Sequence, residues 1–97
     1  MGYIKINPNK DLMGYSDIHR PAIYATLKET LMESTDLHLK DNGIDLVASD
    51  RSDFKCVATF RTSFIKVLGE SETFCNVRDC AEFIDRKYKQ YQKGMSA

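Results

Sequence analysis

A β-hairpin signature at Asn42-Gly43 separates two short stretches in which apolar and polar residues alternate. Asparagine and glycine are the preferred central pair of a two-residue type I′ turn, because both positions require a positive φ. A turn centred there predicts that Leu39 lies opposite Leu46, with the apolar residues of both strands on one face. Turn chemistry and hydrophobic pattern therefore agree on a local β structure.

A second alternating stretch follows the hairpin over residues 54–61, where the even-numbered residues are all apolar. Successive residues of a strand point to opposite faces, so these residues share one face. For that face to continue the apolar face of the hairpin, the strands need a five-residue connection, Ser49–Asp53, or a bulge.

Residues 64–68 are apolar on both faces except at Lys66. A single strand from 54 to 68 would be unusually long, so one bent strand and two separate strands both fit the pattern. Residues 69–72 contain glycine and polar residues and are predicted to end the sheet. At the other end of the chain, a short strand is predicted over Tyr3–Ile6, before a turn cluster.

Helical periodicity precedes the hairpin over roughly residues 18–34. Ile23, Leu27 and Leu31 recur at four-residue intervals and form one apolar stripe. Pro21 must then lie in the first turn, where the missing N–H of proline costs little.

A second helix is predicted after the sheet, with Asn76 as its N-cap and Asp79 completing a capping box. Gly94 is predicted to end this helix. Its buried stripe is formed by residues at helical spacing, namely Val77, Ala81, Ile84, Tyr88 and Tyr91.

These elements give the order (β)-α-β-β-β-(β)-α over 97 residues. The pattern predicts a single α+β domain spanning residues 1–97. In it, an antiparallel sheet of three to five strands has two helices packed on one face.

Composition argues for a cytoplasmic protein. Basic and acidic residues balance at 14 each, so no overall field attracts nucleic acid or an anionic membrane. The three cysteines have no disulfide-framework spacing, which favours a reducing compartment. The N-terminal residues lack the features of a signal peptide, and no apolar run is long enough to span a membrane.

Motifs for catalysis, metal binding or phosphate binding are not found. The five glycines are isolated, and the cysteines and histidines lack zinc-site spacing. We therefore expect no catalytic residue, no metal, no cofactor and no enzymatic activity. Cys75 and Cys80 flank the predicted helix N-terminus as a hydrophobic staple, and a reactive thiol is the alternative interpretation.

A nucleic-acid-binding function is the principal alternative class. Three strands followed by a helix over about residues 44–93 resemble, in element order, the AP2-type and integrase arm-binding domains. The resemblance implies a sheet that enters the major groove of DNA. The outward-facing candidates on this chain are Lys55, Thr59, Arg61 and Lys66.

A surface for another protein is the leading hypothesis. Two helices can cover only one face of a small sheet, so we expect Val57, Ile65 and Val67 to form an uncovered apolar patch or a homodimer seam. The alternative is that the N-terminal segment or the second helix covers these residues. Arg61 and Lys66 would lie at its rim, with Arg61 as the first candidate anchor. An exposed edge strand offers β-strand addition as another route to a partner.

The sequence thus predicts a small non-enzymatic binding protein that modulates or inhibits a partner protein by occupying its surface. Small neutral domains without catalytic motifs are frequent among accessory proteins of phages and mobile elements. The expectation of a modulator or inhibitor rests on this frequency and not on a sequence motif.

Overall fold

A computed structural model describes residues 6–96 of the chain, and in this range the element order is α-β-β-β-β-β-α. A 3₁₀ turn, Asp17–His19, leads into helix α1 (Arg20–Met32), and helix α2 (Val77–Ser96) closes the fold. Between the helices lie five strands: β1 (His38–Asp41), β2 (Asp45–Ser49), β3 (Lys55–Arg61), β4 (Phe64–Val67) and β5 (Thr73–Phe74). The predicted α+β class is confirmed.

The five strands form one antiparallel sheet in chain order, from β1 at one edge to β5 at the other. Residues 54–68 form two strands, joined by Thr62 and Ser63. Strand β5 is only two residues long, which is why residue pattern did not reveal it. The strand predicted over Tyr3–Ile6 falls outside the described residues, except for Ile6.

The hairpin register differs from the prediction by two residues. Leu39 lies opposite Ala48, not Leu46, and the turn is centred on Gly43-Ile44. Gly43 has a φ of +91°, as the first central position of a type II′ turn requires. The Asn42 side chain accepts hydrogen bonds from the turn N–H groups of Ile44 and Asp45, at 2.9 and 2.8 Å, and this moves asparagine out of the centre.

Both register corrections leave the faces of the strands unchanged. The β2–β3 connection spans residues 50–54, so the predicted length of five residues is right, although the segment begins one residue later. Ala48 consequently pairs with Cys56 instead of Phe54. A shift of two residues preserves the side of the sheet on which each side chain lies, because side chains alternate with a period of two.

Helix α1 has the buried stripe that its periodicity predicted. Ile23, Leu27 and Leu31 are fully buried, and Pro21 lies in the first turn. The stripe also contains Tyr24, whose hydroxyl accepts a hydrogen bond from the Phe60 N–H (2.7 Å) and donates one to the Ile44 carbonyl (2.6 Å). This hydroxyl bridges β2 and β3 where direct pairing between them ends.

Helix α2 begins as predicted but ends later. The Asn76 side chain accepts a hydrogen bond from the Asp79 N–H at 2.8 Å, which confirms the cap. The prediction that Gly94 ends the helix is wrong, because the helix continues to Ser96. Gly94 does not have the positive φ that a glycine C-cap needs.

The core lies between the sheet and the two helices. Leu46, Phe60 and Ile65 of the sheet are buried against Tyr24 of α1 and Ile84 of α2. The N-terminal segment closes the β5 side of this core. There the Leu12 N–H donates to the Cys75 carbonyl at 2.7 Å, and the Arg78 N–H donates to the Pro8 carbonyl at 2.8 Å.

Candidate functional site

The candidate site is the face of the sheet opposite the helices, which we call the outer face. Its residues are exposed or half-buried, and none of them is buried. Cross-strand pairing places the following side chains on it: His38, Lys40, Asp45, Val47, Ser49, Lys55, Val57, Thr59, Arg61, Phe64, Lys66, Leu68 and Thr73.

An apolar row crosses the middle of the outer face. Val47 pairs with Val57 across β2 and β3. The Leu68 N–H donates to the Val57 carbonyl at 2.9 Å, which continues the row beyond the end of β4. Both valines are half-buried and Leu68 is 75% exposed. We call these three residues the apolar row.

Four basic side chains surround the apolar row. Lys40 lies opposite Val47, Lys66 lies opposite Thr59, and Lys55 and Arg61 occupy the two ends of β3. All four are exposed, and within residues 6–96 none forms an ion pair. The neutral chain therefore presents a locally cationic surface on this side of the sheet.

Asp45 is the one carboxylate among the outer-face residues, and it already has a partner. The Thr59 hydroxyl donates a short hydrogen bond to the Asp45 carboxylate, at 2.5 Å. The two residues lie directly opposite each other on β2 and β3. Thr59, predicted as a nucleic-acid contact, is thus engaged within the sheet.

The structure separates the predicted partner-binding residues into two groups. Val57, Arg61 and Lys66 lie on the outer face, as expected. Ile65 and Val67 do not: they are 0% and 2% exposed and belong to the core. The reason is strand alternation, because a solvent-facing Lys66 requires its two neighbours to point inward.

Ile65 and Val67 therefore cannot contribute to the predicted apolar patch or homodimer seam, since neither side chain reaches the surface. In their place the outer face has Val47 and Leu68, which were not predicted there. The signal was available for both residues. Val47 alternates with the core-facing Leu46 and Ala48, and Leu68 shares the parity of Lys66.

The cysteines do not form a site within the described residues. Burial raises the pKa of the Cys80 thiol far above its ordinary value. Burial, followed by the nearby Glu70 carboxylate, raises the pKa of Cys56 to about 11. A protonated, buried Cys80 cannot act as the nucleophile that the helix N-terminus suggested. Cys75 is exposed and Cys80 is buried, so the two thiols at this helix N-terminus differ in their access to solvent.

The two histidines lie in separate places. His19 is part of the 3₁₀ turn, where its Nδ1 accepts a hydrogen bond from the Ser16 N–H at 3.1 Å. His38 is exposed at the start of β1, on the outer face. Within residues 6–96, no group of three or more His, Cys, Asp or Glu side chains is arranged to hold a metal ion.

Neither helix of the described chain has an apolar stretch sufficient to cross a membrane. No protein-family model, no curated protein and no solved structure matches this chain.

Proposed function

We propose that this protein is a non-enzymatic binding protein that docks its outer face on an acidic surface of another protein, and modulates or inhibits that partner by occupying it. The observation that carries the proposal is the combination of a partly exposed apolar row with four basic side chains that form no ion pair within residues 6–96, on the face of the sheet opposite the helices.

The arrangement matches the anatomy of a protein–protein interface. Such interfaces have an apolar centre and a polar rim, and arginine is enriched among the residues that dominate the binding energy. Here Val47, Val57 and Leu68 supply the centre, and Arg61 is the arginine at the rim. The basic rim favours a partner of opposite charge, since complementary charges raise the association rate and exclude wrong partners.

The test is comparative capture from the native host. Tagged parent protein is compared with Leu68→Glu, which places a carboxylate in the apolar row at a position that is 75% exposed. Met13→Glu is the matched control, because Met13 is 78% exposed and lies outside the outer face. We expect a protein captured by the parent and the control, but bound at least about tenfold more weakly by Leu68→Glu.

Equal capture by all three proteins would contradict the proposal. Circular dichroism and thermal unfolding of each variant establish that the fold is retained. With the purified partner, Arg61→Ala should weaken binding more than Lys55→Ala, because arginine anchors an interface more often than lysine does.

Nucleic-acid binding is the second candidate, and the four unpaired cations favour it. Lys55, Thr59, Arg61 and Lys66 all lie on the outer face, as the sequence analysis expected. Phosphate contacts dominate such binding and need clustered basic side chains. The apolar row has no counterpart in a phosphate backbone, which is why an acidic protein surface is preferred.

A salt titration with labelled duplex DNA and single-stranded RNA separates these candidates. If the four cations bind DNA phosphates, the logarithm of the affinity should fall with the logarithm of salt concentration at a slope of about −3.6. Lys66→Ala should then reduce the slope by about one. Absence of binding to either nucleic acid at low salt would eliminate this candidate.

A further inference from the structure

Strand β1 is the edge of the sheet away from the N-terminal segment, and within residues 6–96 it pairs only with β2. The Asn42 N–H donates to the Asp45 carbonyl at 3.1 Å. Hydrogen-bonded pairs alternate along an antiparallel ladder, so Lys40 and His38 also direct their main-chain groups to β2. Leu39 and Asp41 therefore present their N–H and C=O groups outward.

A groove runs beside this edge, between β1 and α1. Its helix side is lined by Ala25, Lys28, Glu29 and Met32, which recur at the spacing of one helical face. Its strand side includes Leu37 and Leu39. Met32 is 69% exposed and Leu39 is half-buried, so the groove presents apolar surface next to backbone groups that no strand of the described chain pairs with.

We propose that the β1 edge and this groove bind an extended peptide segment of a partner, which adds a sixth strand to the sheet. Outward N–H and C=O groups on an edge strand are complementary to an extended backbone. The site shares Lys40 with the outer face but does not include the apolar row, and the proposal does not depend on the function inferred for that row.

The two sides of the added strand specify the chemistry of the peptide. Alternate side chains would enter the groove beside Leu39 and Met32, where apolar residues fit. The intervening side chains would lie on the outer face beside His38 and Lys40, where acidic residues are complementary. The ligand class is therefore an extended segment in which apolar and acidic residues alternate.

A second copy of this chain is a poorer occupant. When two β1 strands pair around a two-fold axis with Leu39 opposite Asp41, Lys40 lies opposite Lys40 of the other copy. Like charges placed directly opposite each other destabilise a strand pair. Lys40 thus favours an acidic peptide segment over a second copy of this chain.

The experiment titrates the isotope-labelled protein with an acetylated, amidated hexapeptide of alternating glutamate and valine, followed by NMR. Binding should protect the Leu39 and Asp41 amides from hydrogen exchange, while the His38 and Lys40 amides, already paired to β2, change little. The same peptide N-methylated at the residues facing β1 should bind about tenfold more weakly, since it cannot donate to the strand.

Protein variants locate the site. Met32→Glu should weaken binding about tenfold by placing a carboxylate in the groove, whereas Met13→Glu, at an exposed position outside the groove, should bind like the parent. A block peptide of three glutamates followed by three valines should also bind weakly. Equal binding of the N-methylated peptide, protection elsewhere than at Leu39 and Asp41, or no binding of the alternating peptide would each overturn the proposal.

Discussion

The two faces of the sheet are built from the same strands but have opposite chemistry. On β4, Ile65 is 0% exposed and contributes to the core, while the next residue, Lys66, is exposed on the outer face. On β3, Phe60 is buried and Arg61 is exposed. The inner face forms the core that stabilises the fold, and the outer face carries the residues of the proposed binding site.

The comparison shows how a neutral protein can carry a charged surface. Equal numbers of acidic and basic residues cancel over the whole chain, yet four basic side chains share the outer face with one hydrogen-bonded carboxylate. Local potential depends on where charges lie, and net charge alone says little about a binding site. The same four basic side chains, spread over the helices, would not produce a cationic surface.

The largest predicted effect distinguishes neighbouring residues on β4. Ile65→Ala should lower the free energy of unfolding by about 2–5 kcal/mol, because it leaves a cavity in the core. Lys66→Ala should change it by no more than about 0.5 kcal/mol. Urea denaturation monitored by circular dichroism measures the free energy of unfolding of both variants. If Ile65→Ala fails to fold, Ile65→Val, expected to cost about 0.5–1.5 kcal/mol, replaces it in the comparison. Equal losses for Ile65→Ala and Lys66→Ala would mean that the faces are assigned wrongly.

The second prediction concerns the contact between helix α1 and the inner face of the sheet, at Tyr24. Tyr24→Phe removes the hydroxyl that bridges the Phe60 N–H and the Ile44 carbonyl. Leaving the buried Phe60 N–H unpaired should lower the free energy of unfolding by about 1–3 kcal/mol. Tyr15→Phe, at a half-buried tyrosine, serves as the control. An unchanged Tyr24→Phe variant would indicate that the two backbone groups pair directly once the hydroxyl is gone.

The sequence was sufficient to predict the fold class but not the finer geometry. Periodicity identified both helices and the strands of the central sheet, because burying one stripe or one face leaves a regular pattern. The hairpin register depended on whether Asn42 or Gly43 came first in the turn, and a side-chain hydrogen bond decided it. No residue pattern could reveal a two-residue strand such as β5.

The candidate site was predicted only in part, for a related reason. The uncovered face was expected, as were Val57, Arg61 and Lys66 on it. Ile65 and Val67 were misplaced although Lys66, which lies between them, marks the solvent-facing side of the strand. The apolar residues on both sides of the strand obscure this signal, and the pairing of β4 with β3 shows the face on which each residue lies.

A smaller effect is predicted in the turn that reverses the chain between β3 and β4. Ser63 has a φ of +72° and is the one non-glycine residue of the described chain with a positive φ. Ser63→Gly should raise the free energy of unfolding by about 0.5–1 kcal/mol, because relief of the left-handed strain exceeds the entropy cost of glycine. Thr62→Gly should lower it by about as much. Thermal unfolding checks both, and the same sign for the two variants would contradict this account of the turn.

The last prediction has no effect at neutral pH and develops only in alkali. Burial raises the pKa of Tyr24 above its ordinary value of 10.0 and that of Cys56 from 9.0 to about 11. The unfolded chain therefore ionises first as pH rises. The stability that these groups contribute is complete below about pH 9 and is lost as pH rises through their folded pKa values.

Urea denaturation at intervals between about pH 8 and pH 11 should show this decline. Tyr24→Phe and Cys56→Ala should each make the decline shallower, even though the tyrosine variant begins from a lower stability. The raised pKa values follow from burial of Tyr24 and Cys56 between the sheet and the helices. If stability declines as steeply with pH in Tyr24→Phe and Cys56→Ala as in the parent, these two groups are not buried as described.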